Sequence, residues 1–129
     1  MTERLAYVVR SAKPVDEVAA ALEAKIAEKG FRVLGVHDVQ AMLAEKGFER
    51  SPMRIVEFCN ARLSSQVLAA DDLISVLMPC RISVFARDGE TVIAALRPTA
   101  VREFFPSADL GGVPEEADAL IRSIVDEVR

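Results

Sequence analysis

The dipeptide Asp88-Gly89 lies between two apolar runs, Arg81 to Ala86 and Thr91 to Leu96, and it constrains the fold more than any other feature of the chain. Both residue types tolerate positive φ, the backbone state a two-residue turn needs to match the twist of its flanking strands. The two runs are therefore read as an antiparallel hairpin. Three further strands are expected upstream. Leu5 to Val9 is rich in β-branched and aromatic residues, Phe31 to Val39 is largely apolar, and Met53 to Cys59 follows a polar loop.

Helical spacing alternates with these runs. Pro14 opens a helix on which Val15, Val18, Ala19, Leu22 and Ile26 share one face. Asp16 and Glu17 complement its positive N-terminal end, and Gly30 supplies a left-handed stop. Ala41 to Phe48 repeats the pattern of Ala24 to Phe31, which predicts one glycine-capped helix ending used twice, too short for a duplicated domain. A short helix over Ala61 to Ala70 should join strands three and four. Thr99 is read as the cap of another that ends near Phe104-Phe105-Pro106, and Gly111-Gly112 as a flexible linker. From Pro114 a final helix carries Ala117, Ile121, Ile124 and Val128 on one face.

The expected fold is α+β: a curved, mostly antiparallel sheet of about five strands packed against two main helices, in the order β-α-β-β-β-β-α with short extra helices. At 129 residues the whole chain, 1–129, is read as a single domain. Hydrophobic residues make up 51% of it, and the strands alternate poorly: Ile93 and Ala95 oppose Val92, Ala94 and Leu96, all of them apolar. A sheet with one wet face should alternate. Part of the second face is therefore expected to be covered by a short helix, a ligand or a second copy of the chain, and a homodimer is the preferred expectation.

Charge and segment patterns exclude several classes. Sixteen Lys and Arg against 20 Asp and Glu give a net charge of −4, with no Trp and one Tyr. Binding to a nucleic acid draws on clustered cations and stacking aromatics, so no nucleic-acid partner is expected. No apolar run approaches the roughly 20 residues of a membrane helix, and Met1 to Leu5 lacks the pattern of an export signal. A cytoplasmic location is expected, and with it free thiols.

No P-loop, dinucleotide fingerprint, nucleophile elbow or HExxH zinc motif is present, so no cofactor is expected. Candidate site residues are Cys59 and Cys80, each where an apolar strand meets polar or turn chemistry, their neighbours Asn60 and Arg81, and the lone histidine His37 beside Asp38. If strands three and four are antiparallel neighbours, the end of one lies beside the start of the other and the thiols approach. Arg81 would then favour a thiolate. The alternative is that both cysteines fill the edge of the core. A metal is not expected, because Cys59, Cys80 and His37, even with Asp38 or Glu57, lack the ligand spacings of a zinc site.

Several of these residues together resemble domain-of-unknown-function family 302. They are Asp38, the Leu43 to Gly47 helix ending, Phe58-Cys59-Asn60-Ala61, Val67-Leu68, Asp71, Met78-Pro79-Cys80-Arg81-Ile82, Asp88-Gly89, Arg97-Pro98 and Phe104-Phe105-Pro106. The resemblance covers nearly the whole chain and implies a TATA-binding-protein-like fold, in a cysteine-containing branch of a family that also has a cysteine-free one. It implies no established activity. Two functional readings follow. The preferred one is a small binding or interaction domain with a ligand or partner site near the ends of strands two to four. The other is a thiol-dependent redox or sulfur-handling protein using Cys59 and Cys80.

Overall fold

A computed structural model describes residues 2–129 and shows a five-stranded antiparallel sheet in the order β1-β5-β4-β3-β2. The strands are β1 (Ala6–Ser11), β2 (Arg32–Asp38), β3 (Met53–Cys59), β4 (Cys80–Arg87) and β5 (Glu90–Leu96). The β4-β5 hairpin is built as its sequence predicts. Arg87 pairs with Glu90, and the two turn residues adopt positive φ, 52° at Asp88 and 80° at Gly89. Six helices surround the sheet: α1 (Thr2–Leu5), α2 (Val15–Glu28), α3 (Val39–Ala44), α4 (Ala61–Ala70), α5 (Val101–Phe104) and α6 (Val113–Val128). Two 3-10 turns, Asp72–Leu77 and Pro98–Ala100, complete the regular structure.

The two long helices, α2 and α6, cover one face. Val18, Leu22 and Ile26 from α2 and Ile121, Ile124 and Val125 from α6 are fully or almost fully buried against Val56, Phe58, Ile82, Val84, Ile93 and Ala95. The period-2 alternation of the strands supplies those six sheet residues, and the 3.6-residue period of the helices supplies the facing ones. A smaller, separate cluster of Ile74, Val101 and Leu110 lies among the 3-10 turn at 72–77, α5 and the loop before α6. On the opposite face of the sheet Val8 is 48% exposed, so the poor alternation of the strands leaves apolar surface open there. Leu34, beside a register shift between Val33 and Gly35 in β2, is also exposed.

The repeated helix ending is one backbone motif in two environments. In both copies the glycine N–H donates three residues back, and the N–H of the following phenylalanine donates five residues back: Phe31 to the Ile26 carbonyl and Phe48 to that of Leu43. Gly30 and Gly47 have φ of 87° and 83°, which the left-handed turn requires. The first phenylalanine is buried and meets Phe58 edge-on at 5.4 Å, whereas the second is 63% exposed.

Three local expectations are corrected. Thr99 does not cap a helix: Arg97 occupies the cap position without a side-chain bond, and Pro98, with φ preset, begins the turn. Gly111-Gly112 is a pinned turn, because Arg102 donates to the Gly111 carbonyl and pairs with both oxygens of Glu115, and Gly112 is the N-cap of α6. The first strand begins after the short helix α1, whose four residues are too few to show a period.

Replacing Phe31 by Ala should cost about 3–5 kcal/mol in urea unfolding, the range for an emptied aromatic core site. The matching Phe48→Ala substitution should stay within about 0.5 kcal/mol. Equal costs would mean that the second copy of the motif is also buried.

Candidate functional site

The β3-β4 pairing sets both cysteines at one end of the sheet. Phe58 lies opposite Cys80, so Cys59 is one residue further along, where β3 ends and β4 begins. Both side chains line an apolar pocket of about 120 Å³ at this end of the sheet. Leu63, Ser64 and Val67 of α4 form one wall. Ile74 and Leu77 of the 3-10 turn and Val101 and Phe104 of α5 form another, and Pro114 and Ala117 close it from α6. Leu5 of α1 and Leu96 of β5 complete the lining. The pocket draws on β5 and not β2, a shift from the location expected near the ends of strands two to four.

Its polar groups are few. Cys59 Sγ and Ser64 Oγ share a hydrogen bond of 2.9 Å. Arg97 forms a two-pronged pair with Asp118, both bonds 3.0 Å, and donates to the Glu3 carbonyl at 2.9 Å. Asp118 is only 6% exposed, so this pair ties the end of β5 to α6 and to the N-terminal segment. Both cysteines are free thiols. Burial pushes the Cys80 thiol up to about 11, a charge on Cys59 would push it the same way, and the lowering effect of Arg81 is outweighed.

The other candidates have separate placements. Asn60 is the N-cap of α4, accepting from the Leu63 N–H at 3.0 Å, and its amide reaches the Gly30 carbonyl at 3.4 Å. Arg81 follows Cys80 in a strand, so it points to the opposite face and meets Glu57 Oε2 at 3.4 Å. His37 Nε2 lies 2.6 Å from the other oxygen of that carboxylate, which the histidine bond and then the nearby arginine hold below the usual range against a raising effect of burial. Asp38 caps α3 through the Ala41 N–H and pairs with Arg54 at 3.2 Å. In antiparallel order the end of β2 lies beside the start of β3, with Asp38 opposite Arg54. His37 and Asp38 are thereby set at the end of the sheet away from the cysteines. Sequence reading missed Ser64 and the apolar walls. Among the described residues no group of three or more His, Cys, Asp or Glu side chains converges as a metal site, and no helix is long and apolar enough to cross a membrane.

Residues 7–128 match the model of the family described as domain of unknown function DUF302. The chain belongs to that family. It is similar to an uncharacterized conserved DUF302 protein from Bacillus stearothermophilus, known from a crystal structure, with a TM-score of 0.88 and 27% identity over 97% of this chain and 98% of that one. No curated protein matches. The match extends over nearly the whole of both chains, so the overall fold is shared with that protein.

Two outcomes test this geometry. With Cys59 replaced by Ala, alkylation of Cys80 by iodoacetamide should still climb several-fold, up to about eightfold, between pH 9.5 and 10.5, where an ordinary thiol of pKa about 8.5 has levelled off. The same raised value stabilises the fold fully below about pH 8.5, the ordinary thiol value in the unfolded chain, and that contribution is lost as pH rises through about 11. A rate that plateaus by pH 9.5 would show that Cys80 is not held neutral. Separately, Asp118→Ala should lower stability by about 1.5–3 kcal/mol in urea titration, as expected when hydrogen bonds to a charged group are removed. No loss would mean that water replaces the carboxylate without cost.

Proposed function

We propose that this DUF302 domain binds a small apolar molecule, or the apolar end of a larger one, in the pocket between the sheet end, α4, α5 and α6. The observation that carries this reading is an apolar cavity of about 120 Å³ whose mouth includes Leu5 and Phe104, 50% and 66% exposed. A dry cavity of about 150 Å³ in another protein admits benzene, so the interior here suits a ring or a short branched chain and not a whole drug-sized molecule. A binding role is favoured over nucleophilic attack by Cys80 because burial raises that thiol, and the thiolate is the attacking species.

The same reading treats residues 1–129 as a single domain in the cytoplasm, where thiols stay reduced. The sheet backed by α6 supports a TATA-binding-protein-like arrangement, and two cysteines in one pocket support a place in the cysteine-containing branch. With a net charge of −4, nucleic acid is not the partner. The sheet face opposite α2 and α6, with Val8 half exposed, supports a homodimer.

Toluene titrated into protein with labelled Leu, Ile and Val methyls tests the pocket. Saturable shifts should be confined to Leu63, Val67, Ile74 and their neighbours, and Val67→Phe, which fills the space, should remove them with the fold intact. Shifts spread over the open sheet face, or none that saturate, would overturn the reading.

A further inference from the structure

Three sulfur atoms belong to residues lining this one pocket: the thiols of Cys59 and Cys80 and the thioether of Met78. They arrive from two directions, Cys59 at the end of β3 and Met78 and Cys80 on either side of Pro79 where β4 begins. The β3-β4 register sets the two cysteines one residue out of step where these adjoining strands end and begin, and both border the pocket. The remaining wall is almost wholly hydrocarbon. Its one cation, Arg97, is already engaged by Asp118, and its one hydroxyl, Ser64, bonds to Cys59.

We propose that Cys59 and Cys80 bind a soft monovalent cation, Cu(I), with Met78 as an accessory ligand. The donor set decides the metal. Zinc is normally held by four nitrogen, sulfur or oxygen ligands, and the pocket offers no imidazole or carboxylate to complete them. Thiolate and thioether sulfur select Cu(I) among biological metals, and that ion is content with two or three ligands in a dry site. Charge supports the same assignment. Two bare thiolates would place two negative charges in an apolar pocket, at a large desolvation cost. Cu(I) bound to both thiolates leaves a single negative charge, and the two protons displaced go to solvent. No electron is transferred in this step, and the copper is Cu(I) before and after binding.

The inference goes beyond the apolar-ligand reading and does not rest on it. Copper binding without any toluene response would leave it standing, and a toluene response without copper binding would overturn it alone.

The test is an anaerobic titration of the reduced full chain with Cu(I) against a chromogenic copper chelator, with the ultraviolet thiolate-to-copper band as a second readout. One ion per chain is expected, with proton release that raises affinity as pH increases. Cys59→Ser and Cys80→Ser should each weaken binding by about 100-fold and remove the band, and Met78→Leu should weaken it by about tenfold. Cys80→Ala accompanies the serine variant, so that a fold lost to a buried hydroxyl is not mistaken for a lost ligand. Affinity unchanged in the folded cysteine variants, or equal retention of zinc, would overturn the proposal.

Discussion

Ile82 and Val84, in the centre of the sheet and wholly buried, are the residues on which both long helices depend. β4 is hydrogen-bonded on both sides, to β5 through a turn of two residues and to β3 through a long connection. Its alternation sends Ile82 and Val84 toward α2 and α6 and leaves Arg81 and Ser83 on the other face. Burying a side chain of this size contributes roughly 1.5–3 kcal/mol, and the strand holds two of them in a position that no edge strand could provide. A slip of one residue in the β3-β4 register would turn one strand's apolar set away from the helices. It would also shift Cys59 relative to Cys80, so the register that protects the core also fixes how the two cysteines are placed at the pocket.

Features encoded within a few residues were legible in the sequence. Asp88-Gly89 specifies a turn by its own φ preferences, and Gly30 and Gly47 end helices by the same means. The faces of α2 and α6 follow from spacing alone, and Val15, Val18, Leu22, Ile26, Ala117, Ile121, Ile124 and Val128 are all buried. The placement of Cys59 and Cys80 at one end of the sheet could be foreseen conditionally because it follows from strand adjacency. What escaped was every part of the pocket supplied by distant, short elements. The turn at 72–77 and α5 have no usable period, and their positions are set by the small cluster of Ile74, Val101 and Leu110. His37 and Asp38 were grouped with the cysteines by chemical type, whereas antiparallel order sends the end of β2 to the opposite end of β3.

The two copies of the glycine-capped ending separate conformation from environment. The hydrogen bonds and the positive φ are the same, yet Phe31 enters the core and Phe48 stays outside. Backbone geometry is set by the glycine and its four or five predecessors. Burial is set by what the next element brings: β2 returns under α2 after Phe31, while the chain after Phe48 runs into the loop before β3. A short repeated phrase in a sequence therefore transmits a shape and says nothing of its neighbours.

The pocket lies along the seam between two hydrophobic clusters of unequal size. The larger one joins both long helices to the sheet, and the smaller one joins the 3-10 turn, α5 and the loop before α6, with Val67 of α4 packed against it. Local opening takes place where few buried contacts must be broken, and the smaller cluster has far fewer of them. Loosening there would displace three buried side chains while the sheet and its two long helices stay packed.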